Sequence, residues 1–460
     1  MNEGNVTQAL ISFALNTGYD SIPAAVLANQ KKSLIDSIGT MSAATTLEPD
    51  CEPIIRFALK NSAEKCCSII GTEEKASPVM AAMANGALIH ALDYEDGHDA
   101  SKAHPNTASI PTLIALSEIM AVSGREFLTA MAVSAECACR LKLALRENDL
   151  DNGWYSPAMF SAYGAVLGGA RVLGLTREQT LDALSICLTQ VMMPGQMARS
   201  GDSCLRAVRD AFSAKAAVFS LLLAREGLQA RMDEPFEGKL GLYQMIERSA
   251  YDPEVITDGL GEKWVCEKLR YKLFPCCGTT HGGVHALKTV IKKNSIRPEE
   301  ILSIHLDVDP IHLRVLEPRE VKVTPASIAA AKFSMPFCLA LCAAYGSVRL
   351  EMFSEDMLRN EMIRSLAAKI KYTVRSGSVQ SDDHVGVTVE TGRGVFREEV
   401  FVSPGAPELP PSEEELRIKF FDCMSHAKKK LTEADKKCLI EQVSALEGFA
   451  DTGRIFSNIT

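Results

Sequence analysis

The chain of 460 residues carries 49 Lys and Arg against 58 Asp and Glu, which gives a formal net charge of −9. Nucleic-acid binding needs a basic face that neutralises phosphates, so this charge balance disfavours it. An anionic small molecule is not excluded, because a pocket can be locally positive inside an acidic protein. Hydrophobic residues form 47% of the chain and charged residues 23%, an ordinary folded mixture. The length exceeds what one core usually serves, so we expect two domains.

No apolar run reaches the roughly 18 residues that a membrane span requires, so we expect no membrane partner. The N-terminus begins Met-Asn-Glu-Gly and carries an acid where a secretory signal carries basic residues. The 14 cysteines are scattered, many of them inside apolar helical segments, which is typical of a reducing compartment. These features predict a cytoplasmic protein without a disulfide framework.

Residues 5–231 read as a series of helices. Ser77-Pro78 provides an N-cap and a first-turn proline for a helix that continues to about Leu92. Asn106 is a candidate start for the next helix. Thr176-Arg-Glu-Gln179 matches a capping box, which predicts another helix start. The first half of the chain is therefore predicted to be all-helical.

The pattern changes after about residue 266. Periodicity predicts, in chain order, a strand over 302–308, a helix over 326–345, a strand over 370–374 and a hairpin over 385–402. A Pro-rich linker at 405–411 then precedes closing helices. We predict a mainly α protein, in which a large all-helical domain (1–266 and 405–460) is combined with a smaller α/β lid domain (267–404) inserted before the C-terminal helices.

Several linear motifs of cofactor and nucleophile sites are absent from the sequence. There is no GxGxxG after a strand, no GxxxxGK[ST], no GxSxG and no HExxH. Their absence favours chemistry that needs no cofactor, and we expect neither a cofactor nor a metal.

Acids and histidines concentrate in the segment from His90 to His104, between two predicted helices. Three of the nine histidines fall within these fifteen residues. Such a loop can hold a general acid, a base and an orienting carboxylate together. Two other interpretations remain open: a capping cluster that joins the helices, and a metal site formed by Asp93, Asp96, His98 and Asp99.

A second candidate segment is Lys272-Leu-Phe-Pro-Cys-Cys-Gly-Thr-Thr-His281. A proline and a glycine in it predict a tight turn, so Lys272, Cys277 and His281 are expected to converge on one cavity. Packing of the cysteines and a polar contact of the histidine at a helix start are the alternatives.

Two further groups carry charged side chains at short spacing. Arg206 and Arg209 lie three residues apart on one predicted helix face, which suits binding of a carboxylate. Surface arginines at this spacing are also common. Asp382-Asp383-His384 precedes a predicted strand, and we interpret it as a solvated turn.

The sequence resembles the MmgE/PrpD family, which includes 2-methylcitrate dehydratase, cis-aconitate decarboxylase and iminodisuccinate epimerase. The N-terminal hallmark of that family is similar to H-x-x-D-[FY]-[DE]-D followed by H-P, and it is matched by His90 to Asp96 and by His104-Pro105. Further matches follow in order along nearly the whole chain. They are Gly164 to Leu175, Lys272-x-Phe-Pro-Cys-Cys-x-x-x-His281, Ala331-Lys-Phe-Ser-Met-Pro336 and Gly405-x-Pro-x-x-Pro-Pro-Ser-x-x-Glu-Leu.

The resemblance implies a homodimer with an active site in the cleft between the helical domain and the lid. It implies a cofactor-independent lyase that acts on a small di- or tricarboxylate, dehydratase-like, by proton transfer at a carbon α to a carboxylate. An epimerase of a dicarboxylate such as iminodisuccinate and a cis-aconitate-type decarboxylase are alternatives. A homologue that binds a polycarboxylate without turnover is the non-enzyme alternative.

Four positions depart from the pattern that the resemblance implies for a decarboxylase. The Thr of that pattern is Gly97 here, and the His before the Gly/Ala-rich helix is Tyr155. Its Lys after the central loop is Arg206, and its His in the lid motif is Cys277. Hydration chemistry or epimerisation fits these departures at least as well as decarboxylation.

The resemblance, together with the charges these reactions develop, implies a role for each residue. We expect His104 to be the general acid/base, with Asp93 orienting it. Lys272 and Arg206 are expected to bind the carboxylate, and Tyr155 to be a second acid/base or a ligand of a hydroxyl group. The other predicted substrate-binding residues are Arg209, Gly97, His98, Cys277 and His281.

Overall fold

The computed structural model describes residues 5–146, 152–198, 200, 203–248, 250–376 and 381–459. Helices make up 59% of the chain and strands 9%, so the predicted fold class, mainly α with a small α/β part, is confirmed. Within the described segments no helix is both long enough and apolar enough to cross a membrane. All 14 cysteines are free, as the sequence predicted.

The N-terminal half is built from helices packed around one hydrophobic core. A small antiparallel hairpin, β1 (Cys67–Ser68) with β2 (Lys75–Ala76), lies among them. The helices are α1 (Val6–Asn16), α2 (Ala24–Leu47), α3 (Cys51–Lys60), α4 (Pro78–Ala91), α5 (Asn106–Ile119), α6 (Gly124–Leu143), α7 (Pro157–Val172), α8 (Arg177–Leu188), α9 (Leu205–Val208), α10 (Asp210–Arg225), α11 (Leu242–Glu247) and α12 (Pro253–Thr257).

Close packing of α6 against α7 explains the small residues of the Gly/Ala-rich segment. A Cβ added at Gly164 would lie 2.4 Å from the carbonyl oxygen of Ser134, and one added at Gly168 would lie 2.5 Å from that of Ala130. Both distances are below van der Waals contact, so any larger side chain would push the helices apart. These glycines serve the core, in agreement with the sequence analysis.

The lid has its own hydrophobic core beneath a four-stranded sheet. The strand order is β4-β3-β5-β6, in which β3 and β4 are parallel and the other neighbours are antiparallel. Its elements are α13 (His281–Asn294), β3 (Ile301–Val308), α14 (Leu313–Leu316), α15 (Arg319–Val323), α16 (Ile328–Lys332), α17 (Met335–Tyr345), α18 (Glu355–Arg359), α19 (Glu361–Ala368), β4 (Ile370–Val374), β5 (Val385–Thr391) and β6 (Gly394–Val400).

The chain then returns to the helical core through α20 (Glu413–Ser425), α21 (Glu433–Ser444) and α22 (Gly453–Asn458). The two cores are consistent with a lid inserted into a helical domain, while the boundaries at 267 and 404 stay a prediction. Most predicted elements are present at their expected places, including the capping box of α8.

One predicted element is wrong: the single helix over 326–345 is two helices, α16 and α17. The break falls at Phe333-Ser334, where the Ser334 hydroxyl accepts a hydrogen bond from the Phe337 amide and so caps α17. Pro336 in the first turn of α17 is compatible with a helix start but not with a continuous helix. The sequence signal was present, because Ser-x-Pro is itself a helix-start pattern.

Two buried lysines join the lid to the helical domain next to the cleft. Lys332 lies 2.6 Å from Glu48 and donates a hydrogen bond to the carbonyl of Ala91 at the end of α4. Lys419 on α20 lies 2.6 Å from Asp36 and donates to the backbone carbonyl of Lys272. Each ammonium neutralises a buried carboxylate and holds backbone that leads into the cleft.

Candidate active site

A cavity of about 860 Å³ lies between the helical domain and the lid. This volume is within the range typical of small-molecule sites. The helical domain contributes Asp93, the loop 97–104, Tyr155 and Arg206 to its wall. The lid contributes several side chains to the opposite wall, namely Lys272, Cys277, Thr279, Arg314, Phe333 and Asp382. The cleft therefore brings together residues that lie more than 200 positions apart.

Asp93 and Lys272 form a buried ion pair at one end of this cavity. The Lys272 Nζ lies 2.6 Å from Oδ1 of Asp93 and also donates a hydrogen bond, 3.0 Å long, to its backbone carbonyl. Burial alone would raise the pKa of Asp93, but the neighbouring ammonium outweighs this effect and lowers it. Burial would lower the pKa of Lys272, whereas Asp93 and Glu95 together raise it. Both groups are therefore charged at neutral pH.

Glu95 connects two histidines beside this pair. Its Oε1 lies 2.5 Å from Nδ1 of His90 and 2.8 Å from Nδ1 of His104. The contact to His104 is close but is not a hydrogen bond in this geometry. The pKa of Glu95 is well below its usual value because its interactions with His90, Lys272 and His104 outweigh the effect of its burial. An ionised Glu95 favours a proton on Nδ1 of each ring.

Arg209 completes the network from behind. Its Nη1 is in hydrogen-bond contact with Nε2 of His90 and donates to the carbonyl of Arg206. Burial and the charge of Arg209 lower the pKa of His90, so its ring is neutral. The ring accepts a hydrogen bond from Arg209 at Nε2 and donates one to Glu95 from Nδ1. Among the described residues no cation contacts Nε2 of His104, and its imidazole is partly exposed to the cavity, with 19% of its side-chain surface accessible.

Tyr155 and Arg206 extend the site away from the histidines. Tyr155 lines the cavity, and the guanidinium carbon of Arg209 lies 4.9 Å from the centroid of its ring. The guanidinium carbon of Arg206 lies 3.4 Å from the ring centroid of Phe333, so the arginine spans the cleft by a cation–π contact. The buried Nε of Arg206 has no hydrogen-bond partner among the described residues.

Two family models match this chain along most of its length. The model of the MmgE/PrpD N-terminal domain matches residues 8–253, and that of the MmgE/PrpD C-terminal domain matches residues 274–447. The chain belongs to the MmgE/PrpD family. The resemblance found in the sequence motifs is thereby confirmed.

Several characterised or named members of the MmgE/PrpD family are similar to this chain. A cis-aconitate decarboxylase-like protein of Aspergillus oryzae is 27% identical over 100% of this chain and 98% of its own length. A cis-aconitate decarboxylase of Aspergillus terreus is 28% identical over 85% of this chain and 82% of its own. A probable 2-methylcitrate dehydratase of Saccharomyces cerevisiae is 24% identical over 86% of this chain and 80% of its own.

Most of the residues predicted from the MmgE/PrpD resemblance do lie at the cavity. Asp93, His104, Tyr155, Lys272 and Arg206 all line it. The cavity wall also includes three of the predicted substrate-binding residues, Gly97, His98 and Cys277. The His98 ring is buried, and its Nδ1 contacts the Ser101 hydroxyl at 2.7 Å, so this histidine also stabilises the loop itself.

Arg209 and His281 do not line the cavity, contrary to the prediction. Arg209 is 1% exposed and packs behind His90 and Tyr155, because it follows the short helix α9 and begins a new direction at α10. His281 is fully buried at the start of α13, where its Nε2 contacts the Cys276 carbonyl. Neither side chain can contact a molecule in the cavity directly in this structure.

The expected contact between Asp93 and His104 is also wrong, since Glu95 is the carboxylate beside His104. Asp93 has a positive φ of 50°, which turns its side chain out of the regular path of the loop and toward Lys272. Glu95 belongs to the sequence hallmark, so its residue type was visible, but the irregular loop hid its direction.

The interpretation of residues 382–384 as a solvated turn is corrected as well. Asp382 is 11% exposed and contacts Lys102 of the helical domain and Arg314 of the lid. Asp383 is buried and lies 2.6 Å from Arg270. Asp382 lines the cavity, and no local sequence pattern predicted that position for it.

The groups that could hold a metal ion overlap with the histidine network. His90, Asp93, Glu95 and His104 each offer one ligand atom, and these atoms lie within 4.8 Å of one another. Two protein cations already contact this group, because Lys272 neutralises Asp93 and Arg209 contacts His90. A divalent ion would have to displace or repel both cations, so the donor set fits a metal poorly.

Two residues of the metal site considered in the sequence analysis, Asp96 and Asp99, have separate hydrogen-bond partners. Asp96 accepts hydrogen bonds from Ser33 and Asn106 within the helical domain. Asp99 accepts from Arg270. These carboxylates stabilise the loop, but no side chain caps the start of α5, so the interpretation as a capping cluster is wrong at this helix.

Proposed function

We propose that this MmgE/PrpD protein is a cofactor-independent lyase that acts on a small di- or tricarboxylate, in the manner of a dehydratase. The reaction removes a proton from a carbon α to a carboxylate and expels a hydroxyl group from the neighbouring carbon. The observation that supports this most is one cavity that holds two cations, Lys272 from the lid and Arg206 from the helical domain, together with the histidine His104. The names of the relatives, decarboxylases and a dehydratase, support a lyase of this class.

Lys272 and Arg206 are suited to bind the carboxylate next to the reacting carbon. An ammonium group has three N–H donors, and two of those on Lys272 are directed to Asp93. The third donor of Lys272 and the guanidinium of Arg206, which lines the cavity, remain for a carboxylate oxygen. When the α-proton leaves, negative charge moves onto this carboxylate, and the two cations stabilise it without having to reorganise.

His104 is the group that we propose to move the proton. With Nδ1 protonated and turned toward Glu95, its Nε2 carries the lone pair that accepts the α-proton. The carbanion electrons form the new double bond as the hydroxyl leaves with a proton as water. Tyr155 is the proposed donor of that proton, since no described residue forms a hydrogen bond with its hydroxyl.

An epimerase is the second candidate, and Tyr155 is also the observation that favours it. A cavity with two proton-transfer groups can take a proton from one side of a carbon and return one from the other. Dehydration and epimerisation share the first step, the removal of the α-proton. They differ in whether a leaving group departs before a proton returns.

NMR in D2O tests this proposal with citrate, 2-methylcitrate, cis-aconitate and iminodisuccinate as probes. Loss of the hydroxyl-bearing carbon signal supports a dehydratase, and deuterium at the α-carbon without net reaction supports the epimerase. Release of CO2 supports a decarboxylase. Binding without exchange or turnover would support the non-enzyme alternative.

His104→Gln and Lys272→Met are expected to abolish turnover while the protein stays folded. Lys272→Met leaves Asp93 buried without a partner, so the double variant with Asp93→Asn serves as its better-folded counterpart. His285→Gln is the matched control, because His285 is a half-buried lid histidine that does not line the cavity. Wild-type activity in both site variants would show that the assignment is wrong.

We propose in addition that the protein works as a homodimer in the cytoplasm, with a small carboxylate as its only required partner. The family resemblance and the cysteine usage support this. Light scattering after size-exclusion chromatography measures the mass directly, and a species of about 50 kDa, the mass of one 49.9 kDa chain, would contradict the dimer.

A further inference from the structure

Arg314 is a cavity cation that has no part in the proposed proton transfer. It lies on α14 of the lid and lines the cavity, with 44% of its side-chain surface accessible. Its Nε donates a hydrogen bond of 3.0 Å to the Thr279 hydroxyl, and its Nη2 lies 2.8 Å from Oδ1 of Asp382. No described residue accepts a hydrogen bond from its Nη1. One edge of the guanidinium is therefore anchored, and the other is available.

The anchoring of Arg314 gives the guanidinium a fixed place. Asp382 also contacts Lys102 and accepts from Thr279, so three donors converge on one carboxylate. Although burial would raise the pKa of Asp382, Arg314 and Lys102 lower it to about 2, and the carboxylate stays charged at neutral pH. A guanidinium held in this way loses little side-chain entropy when it binds a ligand.

Arg314 lines the cavity from the lid side, together with Cys277 of the lid. Asp93 and Tyr155 of the helical domain line the same cavity. Arg206 belongs to the helical domain, whereas Arg314 belongs to the lid. The cavity thus has cationic donors on both walls.

We propose that Arg314 binds a second carboxylate of the substrate through its Nη1, while Lys272 and Arg206 bind the carboxylate next to the reacting carbon. This inference rests on the proposed function and assigns the residue that recognises the second carboxylate of its di- or tricarboxylate substrate. A monocarboxylate would displace water from the Nη1 group of Arg314 without offering it a hydrogen-bond acceptor, which disfavours binding. Arg314 is thereby a specificity-determining residue.

A purely structural role for Arg314 makes a different prediction. If Arg314 only joins the lid to Asp382, then Arg314→Gln and Asp382→Asn weaken every ligand alike. If Arg314 binds a carboxylate, the loss in Arg314→Gln depends on the number of carboxylates in the ligand. The two roles are therefore separated by a comparison between ligands.

Calorimetric titration with two unreactive ligands of equal length provides this comparison: glutarate, and its monoamide, in which an amide replaces one carboxylate. Wild-type protein is expected to bind glutarate about 10- to 100-fold more tightly than the monoamide, as one charge-assisted hydrogen bond warrants. Arg314→Gln is expected to lose this preference, because its affinity for glutarate falls to the weaker affinity of the monoamide. Arg314→Lys should restore part of the preference.

Arg349→Gln is the matched control, because Arg349 is a lid arginine with 51% of its side chain exposed and one acidic partner, Glu351. It does not line the cavity and should leave the preference unchanged. A preference for glutarate that persists in Arg314→Gln, or an equal loss for both ligands, would overturn the role of Arg314 while the proposed function stands. If wild-type protein bound neither glutarate nor propane-1,2,3-tricarboxylate, the proposed function itself would fail.

Discussion

The substitution Glu95→Gln isolates the electrostatic role of the carboxylate that joins the two histidines. The side chain keeps its shape and loses its charge. At 2.8 Å, the separation between Glu95 Oε1 and His104 Nδ1, the Coulomb attraction for a protonated ring is about 6 kcal/mol with an effective dielectric constant of ~20. His104 is partly open to the cavity, and solvent screening reduces this value, so we expect about half of it.

A loss of about 3 kcal/mol in the stabilisation of the protonated ring corresponds to a fall in kcat of about 100-fold. The Gln amide can also donate toward Nδ1, which favours the tautomer with its proton on Nε2 and removes the base from the cavity. The value of kcat, measured by NMR in D2O on the reacting substrate, checks this prediction.

Glu118→Gln is the control for the loss of a buried charge. Glu118 accepts hydrogen bonds from Ser68 and Ser457 and does not line the cavity. Its substitution should leave kcat as it is in the wild-type protein. If Glu95→Gln kept kcat within threefold, or if Glu118→Gln lost as much activity, the reasoning would be refuted.

Three further predictions concern stability and the shape of the cavity. Lys332→Met should lower the free energy of unfolding by about 3–5 kcal/mol, because Glu48 stays buried without its partner. Adding Glu48→Gln to this variant should recover part of the lost stability in urea titrations. Additive losses from the two substitutions would contradict the pairing. Asp382→Asn should cost about 2 kcal/mol at pH 7. The pKa of Asp382 in the folded protein, about 2, is below the usual value of an aspartate, 3.8. This stability is therefore present above pH ~4 and disappears as the pH falls toward ~2, so wild type and variant should converge there in acid titrations. Gly97→Thr should fold normally, because the nearest atoms to an added Cβ are 3.6 Å away or more, and its hydroxyl should change the ratio of products; an unfolded variant by circular dichroism would contradict the available space.

Local chemistry in the sequence was sufficient for most of the secondary structure. The capping boxes that open α8 and α20 are both formed, because Ser or Thr followed by an acid or amide three residues later satisfies free amides at a helix start without help from other segments. The hairpin β5–β6 follows from two alternating runs around a Gly-rich turn. The break between α16 and α17 was missed because apolar periodicity on both sides hid the cap at Ser334.

The residues at the candidate site were predictable in type more readily than in direction. Asp93, His104 and Lys272 were predicted from the motif. That Glu95, and not Asp93, lies beside His104 depends on the positive φ of Asp93, which no periodicity of the sequence encodes. Arg209 was misplaced because helical spacing was applied across the junction of α9 and α10. Arg314 has no motif of its own, and only the folded lid brings it to the cavity.

The acidic chain and the proposed anionic substrate are compatible because most of the acids at the cavity are already neutralised. Asp93 is paired with Lys272, Asp382 with Lys102 and Arg314, and Asp99 with Arg270, so three of the four described acidic residues that line the cavity meet a cation before a ligand enters. The fourth, Glu317, accepts a hydrogen bond from the Tyr372 hydroxyl. Pairing also orients the cations, because an ion pair with an acid uses some N–H donors of the cation and leaves the others free to face the cavity. A substrate carboxylate then meets preorganised donors rather than mobile side chains, and the binding of a polyanion does not require a protein with a net positive charge.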